Sequence, residues 1–200
     1  MGLPFAKLLD AVAANIIDHA EELTVLDSAI GDADHGLNMK RGFEAVLAER
    51  DKILAMPLPE ALRAIGMTLV MRVGGASGPL YGTLFLTLGK ELNETPTLAD
   101  ASRALAASIE AVKARGKADI NNKTMLDVLI PVSTHLATGT ASFDSVRLVA
   151  AEAAKATIPM RAQKGRASFL GERSIGHMDP GSRSSWLMLS SICDVLEASP

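Results

Sequence analysis

Leu3-Pro4-Phe5-Ala-Lys-Leu8-Leu9-Asp-Ala-Val12-Ala-Ala-Asn-Ile16-Ile-Asp-His-Ala-Glu-Glu22 leads, after a short interval, into Asp27-Ser-Ala-Ile-Gly31-Asp32-Ala-Asp34-His35-Gly36-Leu-Asn38. In the first part Phe5, Leu8, Leu9, Val12 and Ile16 fall on one stripe at helical spacing, and Pro4 stands at the start, where a helix tolerates it. In the second part three carboxylates, an imidazole and two glycines crowd one loop. An amphipathic helix that runs into a polar, glycine-punctuated loop is the unit that recurs along the chain.

The loop itself points to a divalent cation. Carboxylates this close repel one another when ionised, and a doubly charged ion relieves the repulsion. The spacing is not that of an EF-hand. Counting from Asp27, Ala29 and Gly31 occupy positions that need side-chain ligands; counting from Asp32, Phe43 stands where a bidentate Glu is required. Three Asp leave coordination positions open, which suits Mg²⁺ with water or phosphate oxygens. A single loop Asp is better read as a cap or a turn residue. Three beside a His and paired glycines are not.

Composition narrows the fold. The chain has 200 residues, enough for one domain with a sizeable core, and 1–200 is read as a single domain. It is 48% hydrophobic but only 4% aromatic, so Ala, Leu, Ile, Val and Met must build the core, which favours helices over a β-sandwich. A net charge of −3 gives no general nucleic-acid surface. Cys193 is the only cysteine, which rules out a disulfide within the chain and fits a reducing, cytoplasmic setting. No signal peptide is read at the N-terminus, and no segment reaches the roughly 18 apolar residues of a membrane span.

Breakers divide the chain into eight expected helices: about Leu3–Glu22, Leu37–Arg50, Glu60–Arg72, Pro79–Leu92, Leu98–Arg115, Thr124–Leu136, Phe143–Thr157 and Gly181–Glu197. The terminal Ala-Ser-Pro is not expected to be helical. No strand-like alternation persists, so the fold class is all-α. Besides the aspartate loop, three segments carry polar chemistry. Gly74-Gly-Ala-Ser77-Gly78-Pro79 is a glycine-rich turn into a helix, a place where backbone N–H groups can meet a phosphate. Gly116-Lys-Ala-Asp-Ile-Asn-Asn-Lys123-Thr124-Met125 is a polar loop into another helix. Residues 159–181 hold Lys164, Arg166 and Arg173 before the final helix, and cations there could balance phosphate charge. Each has an ordinary structural explanation as a turn or cap. In an up-and-down array, however, the loops after helices one, three, five and seven share one end, so the four segments form one composite site.

Taken together, Asp27-x4-Asp32-x-Asp34-His35-Gly36-x-Asn38, Gly-Gly-Ala-Ser-Gly-Pro-Leu-Tyr-Gly, Lys-Thr-Met-Leu-Asp and Gly-Arg-Ala-Ser-Phe-Leu-Gly-Glu-Arg-Ser-Ile-Gly-His-Met-Asp-Pro-Gly resemble the nucleotide-binding L subunit of dihydroxyacetone kinase (DhaL, the DAK2-domain family). The motifs span residues 27 to 181 in family order. The resemblance implies a barrel of eight antiparallel helices with the nucleotide site at one end. It implies that Asp27, Asp32 and Asp34 hold two Mg²⁺ ions, that His35, Asn38, Ser77 and Gly78 contact phosphates, that Gly116 and Met125 line the adenine pocket, and that Arg166, Asp179 and Gly181 complete the site. Two Mg²⁺ ions would offset about four negative charges where the carboxylates meet ADP. The chain departs from the family at Ile120-Asn121-Asn122, where Pro-Gly-Asp is usual. That departure bears on the path of the loop and on nucleotide or substrate preference.

The function so implied is that of an ADP/ATP-binding kinase subunit, not active alone. Phosphoryl transfer demands positioning and electrostatic clamping more than a nucleophile, and none is evident here; Arg166 is the one candidate for a catalytic role. The implied partners are a sugar-binding K subunit that carries dihydroxyacetone and the phosphohistidine-carrying M subunit of the phosphotransferase system. No nucleic-acid or membrane partner is expected, and a homodimer is left open. Two alternatives remain at this level: the nucleotide subunit of an ATP-exchanging kinase for another small ketose such as a tetrulose, and a regulatory module that reports nucleotide state.

Overall fold

The computed structural model describes residues 3–199; Met1, Gly2 and Pro200 lie outside the described residues. Among the described residues there are ten α-helices, one 3-10 segment and no strand. The helices are α1 (Phe5–Asp18), α2 (Ala20–Ile30), α3 (His35–Ala48), α4 (Arg50–Leu54), α5 (Leu58–Arg72), α6 (Ser77–Glu91), α7 (Leu98–Gly116), α8 (Leu126–Ala137), α9 (Phe143–Ala156) and α10 (Pro180–Glu197). The 3-10 segment, Arg166–Ser174, lies between α9 and α10 and is kinked at Gly171.

Two of the expected helices are broken rods. The first bends at His19, whose ring Nδ1 sits 2.8 Å from the Asn15 carbonyl oxygen. It then continues as α2, farther than the sequence pattern indicated. Leu23, Asp27 and Ile30 are buried at helical spacing, so one inward face extends across the expected loop boundary and places Asp27 in the last turn of α2. The second rod is α3 followed by the short α4. Counted as rods, α1/α2, α3/α4 and α5 to α10 make eight. Each packs on the next, α10 packs on both α9 and α1, and the ring is thereby closed.

Helix starts follow local chemistry. Thr97 with Asp100 caps α7 and Ser142 with Ser145 caps α9, each as a reciprocal capping box. Asp179 accepts from the Ser182 N–H at the start of α10. The main core lies inside the ring and includes Ile16, Leu23, Met39, Phe43, Ile65 and Leu69. A second cluster joins α8, α9 and α10 through Val128, Val132, Val146, Ala150 and Cys193. Burial pushes the Cys193 thiol up to about 11, so it stays protonated and inert. Between the helices lies an apolar cavity of about 210 Å³, walled by residues such as Phe43, Leu62, Leu84 and Met188. No helix among the described residues is long and apolar enough to cross a membrane.

Candidate functional site

The four polar segments meet at one end of the ring. They surround a cleft of about 140 Å³ lined by Asp27, Asp32, Asp34, His35, Ser77, Met125, Arg166, Asp179 and Gly181, among others. A second compartment of about 310 Å³ adjoins it and shares Ala76, Leu80, Thr124, Met125, Lys164 and Gly165 as a common wall. Gly116 lines this second space together with Pro79, Val112 and Leu126. Asn38 and Gly78 line neither compartment and stand one layer behind.

The carboxylate cluster is held by its own backbone. One oxygen from each of Asp27, Asp32 and Asp34 lies within 4.8 Å of the others. Asp27 Oδ2 accepts from the N–H of Asp34 at 2.8 Å and of His35 at 3.1 Å, so the last turn of α2 caps the first turn of α3. Gly31 is required by space: a Cβ there would lie 2.0 Å from Asp27 Oδ1. Three hard oxygen donors converging at this distance fit an Mg²⁺-type ion, and nothing softer than oxygen is in the set. Among the described residues the one cation paired with the cluster is Arg166, whose Nε lies 2.9 Å from Asp32 Oδ2.

Behind the cluster runs a buried polar chain. His35 is 6% exposed, with Nδ1 at 2.9 Å from Ser77 Oγ and Nε2 at 3.0 Å from Ser184 Oγ. Both ring nitrogens are engaged by hydroxyls, so neither points free into the cleft. Burial pulls its imidazole down to about 4 against the opposing pull of Asp27 and Asp34, which leaves it neutral near pH 7. The Tyr81 hydroxyl lies 2.7 Å from Ser184 Oγ and 2.9 Å from Ser185 Oγ and donates to the Gly181 carbonyl. Ser185 in turn borders the apolar cavity, so this chain forms the floor between cleft and interior.

Opposite the carboxylates, α6 begins at Ser77, two residues before Pro79, the position expected from the sequence. Gly78 makes this start fit, since a Cβ there would lie 2.2 Å from the Val73 carbonyl oxygen. The turn therefore presents a helix N-terminus to the cleft. Asn38 supports the turn from behind: its Oδ1 accepts from Arg41 Nη2 at 2.7 Å, and its amide nitrogen faces Gly75. Asp179 is buried, and burial pushes its carboxyl up to about 7 although the Ser182 N–H favours the charged form.

The Ile120-Asn121-Asn122 departure is accommodated by the asparagines. Asn121 stands at φ 66°, a left-handed conformation that Asn tolerates better than most side chains, and its N–H donates to Asp127 Oδ1. Asn122 Oδ1 accepts from the Asp119 N–H. Sequence reasoning placed Lys123 in the Lys-Thr-Met-Leu-Asp motif but gave it no role at the cleft wall, because burial of a lysine has no local signature.

A family model described as the DAK2 domain matches residues 29–194. The chain belongs to the DAK2-domain family. Over 179 residues it is 42% identical to the ADP-binding subunit DhaL of the PEP-dependent dihydroxyacetone kinase of Escherichia coli, covering 85% of each chain. It is also 42% identical over 174 residues to the DhaL subunit of the PTS-dependent kinase of Lactococcus lactis, covering 87% of each. Its fold is similar to that of the dihydroxyacetone kinase of C. freundii in complex with AMP-PNP and Mg²⁺, with a TM-score of 0.74 and 24% identity. That match takes in 95% of this chain and 33% of the other, so one DAK2 barrel corresponds to about a third of a longer kinase.

Proposed function

We propose that this chain is the ADP-binding subunit of a dihydroxyacetone kinase that depends on the phosphotransferase system, a cytoplasmic protein whose 200 residues act as one unit. It takes a phosphoryl group onto ADP from a phosphohistidine-carrying M subunit and passes it to dihydroxyacetone held on a separate K subunit. The observation that carries the reading is a carboxylate triad facing a helix N-terminus across a cleft that opens into an apolar slot. Phosphates fit between the triad and α6, and an adenine ring fits between Leu80, Gly116 and Met125.

Asp27, Asp32 and Asp34 would hold two Mg²⁺ ions. Bound there, the ions supply charge neutralisation at the phosphate oxygens. The protein groups orient the nucleotide: Ser77 donates its hydroxyl, fixed by neutral His35, and the N-terminus of α6, which Gly78 lets pack against Val73 from behind, faces the phosphates. Met125 and Gly181 close the inner wall. Arg166 stands at the open edge, where a partner subunit must cover the terminal phosphate to keep water out.

The test has two parts. Mass analysis of nucleotide released by denaturing the purified protein should identify ADP or ATP. The purified chain mixed with dihydroxyacetone and a phosphoryl donor should form no sugar phosphate until a K-type subunit is added. Robust product from the chain alone would show that the whole active site resides here and refute the split-kinase reading.

A further inference from the structure

Lys123 is 1% exposed, a rare state for a lysine, and its ammonium has specific partners. Nζ donates to the Met160 carbonyl at 3.0 Å and to the Ser174 carbonyl at 2.6 Å. Those carbonyls belong to the two ends of the long loop between α9 and α10. Met160 follows α9, and Ser174 closes the 3-10 segment. Other bonds join the same neck: the Gly176 N–H donates to Ile158 O at 2.8 Å, and the Ala162 N–H donates to Ser174 Oγ at 2.9 Å. The Gln163 N–H donates to Asn122 O at 3.1 Å, so the α7–α8 loop grips the neck at two adjacent residues. Between the clamped ends lie Lys164, Gly165, Arg166 and Ala167, all at the cleft.

We propose that Lys123 is a positioning residue that clamps both ends of this loop and thereby holds Arg166 and its neighbours over the phosphate end of the cleft. The inference rests on the nucleotide reading given above. Lys123 itself does not reach the carboxylate triad; it acts through the loop. Two carbonyls pulled toward one buried ammonium make charge-assisted bonds, and among the described residues no other side-chain cation bridges both ends of the loop. Burial lowers the Lys123 pKa while Asp179 opposes the shift. The clamp also ties the base slot to the phosphate end, because the loop that carries Lys123 runs directly from Gly116 and Ala118 to Thr124 and Met125.

The experiment compares wild type, Lys123→Met, Arg166→Ala and the double variant as full chains. Lys123→Met should keep its helical circular dichroism. Trypsin should cut it within 161–173 about tenfold faster, because the loop opens locally. Its Mg·ADP affinity by calorimetry should fall about tenfold or more, and Arg166→Ala should add little on top, since both changes remove the same held group. Lys123→Gln, which keeps a donor and loses the charge, should fall in between. Unchanged affinity and unchanged tryptic rate overturn the proposal, as do additive effects of the two substitutions. Loss of the helical fold in both Lys123 variants also overturns it, because the residue would then support the barrel instead of the loop. Wild-type protein that fails to bind Mg·ADP refutes the nucleotide reading, and the tryptic comparison still decides whether Lys123 holds the loop.

Discussion

At the loop end of the ring, Asp27, His35, Lys123 and Asp179 are buried in the walls of one cleft. A short way along the same helices, the walls are Phe43, Leu62, Leu84, Leu129 and Met188, and they enclose an apolar cavity. The backbone differs in the same way. All four non-glycine residues with positive φ among the described residues, Ala33, Lys117, Asn121 and Lys123, lie in loops of the site end. A left-handed alanine costs on the order of 1 kcal/mol, and charged groups out of water cost more unless bonded. The ring of apolar helices therefore supplies the stability, and the loop end uses some of it to hold strained and desolvated groups in place.

This contrast can be broken by experiment. If it holds, Phe43→Ala, in the fully buried wall, should cost about 3–5 kcal/mol of unfolding free energy, measured by urea denaturation. The fraction that stays folded should still bind Mg·ADP within about twofold of wild type, well under 1 kcal/mol. A large loss of affinity per folded molecule would show that wall and site are not separable.

Ligand should act in the opposite sense. Mg·ADP at 1,000 times its dissociation constant should stabilise the fold by about 4 kcal/mol, seen as a higher melting temperature, and EDTA should remove that gain. No EDTA effect on protein shown to be loaded with nucleotide would sink the role given to the metal.

Asp32→Ala should weaken Mg·ADP binding about 100-fold, near 3 kcal/mol, in calorimetry. The ligand-free melting temperature should barely move, since Asp32 is exposed and its pair with Arg166 is a surface ion pair worth under about 1 kcal/mol. A collapse of ligand-free stability in this variant would mean that the triad is part of the scaffold.

The smallest effect is a cancellation. His35 is depressed in the fold, to about 4, so its contribution is present above the unfolded value of about 6.5 and is lost as pH falls toward 4. Asp179 is raised, to about 7, so its contribution is present below the unfolded value of 3.8 and is lost as pH rises through 7. The two slopes oppose each other across the same window. Ligand-free wild type should thus show little net change between about pH 4.5 and 6.5, whereas Asp179→Asn should gain stability as pH rises, because the His35 slope is then uncompensated. A variant as level as wild type in pH-dependent denaturation would remove the linkage assigned to these two groups.

Much of this was legible in the residues. The stripe Phe5, Leu8, Leu9, Val12 and Ile16, and its counterparts down the chain, specified helices, because a 3.6-residue period is local information. Breakers such as Met56-Pro-Leu-Pro59 and Thr95-Pro-Thr97 set most of the boundaries. An even number of rods with short connections put the polar segments at one end, and the cleft now gathers all four. What the sequence could not fix is which polar groups face the cleft and which stand behind it. Asp27 reads as a loop residue but is helical, because Leu23 and Ile30 draw that face inward. His35 reads as a phosphate ligand but spends both nitrogens on Ser77 and Ser184, the latter 149 positions away. Lys123 stands in a quoted motif without an assigned role, and its bonds to Met160 and Ser174 appear only in the folded chain. Periodicity fixes a helix from its own residues. The partner of a buried polar group comes from distant parts of the chain, and only the closure of the ring brings the two together.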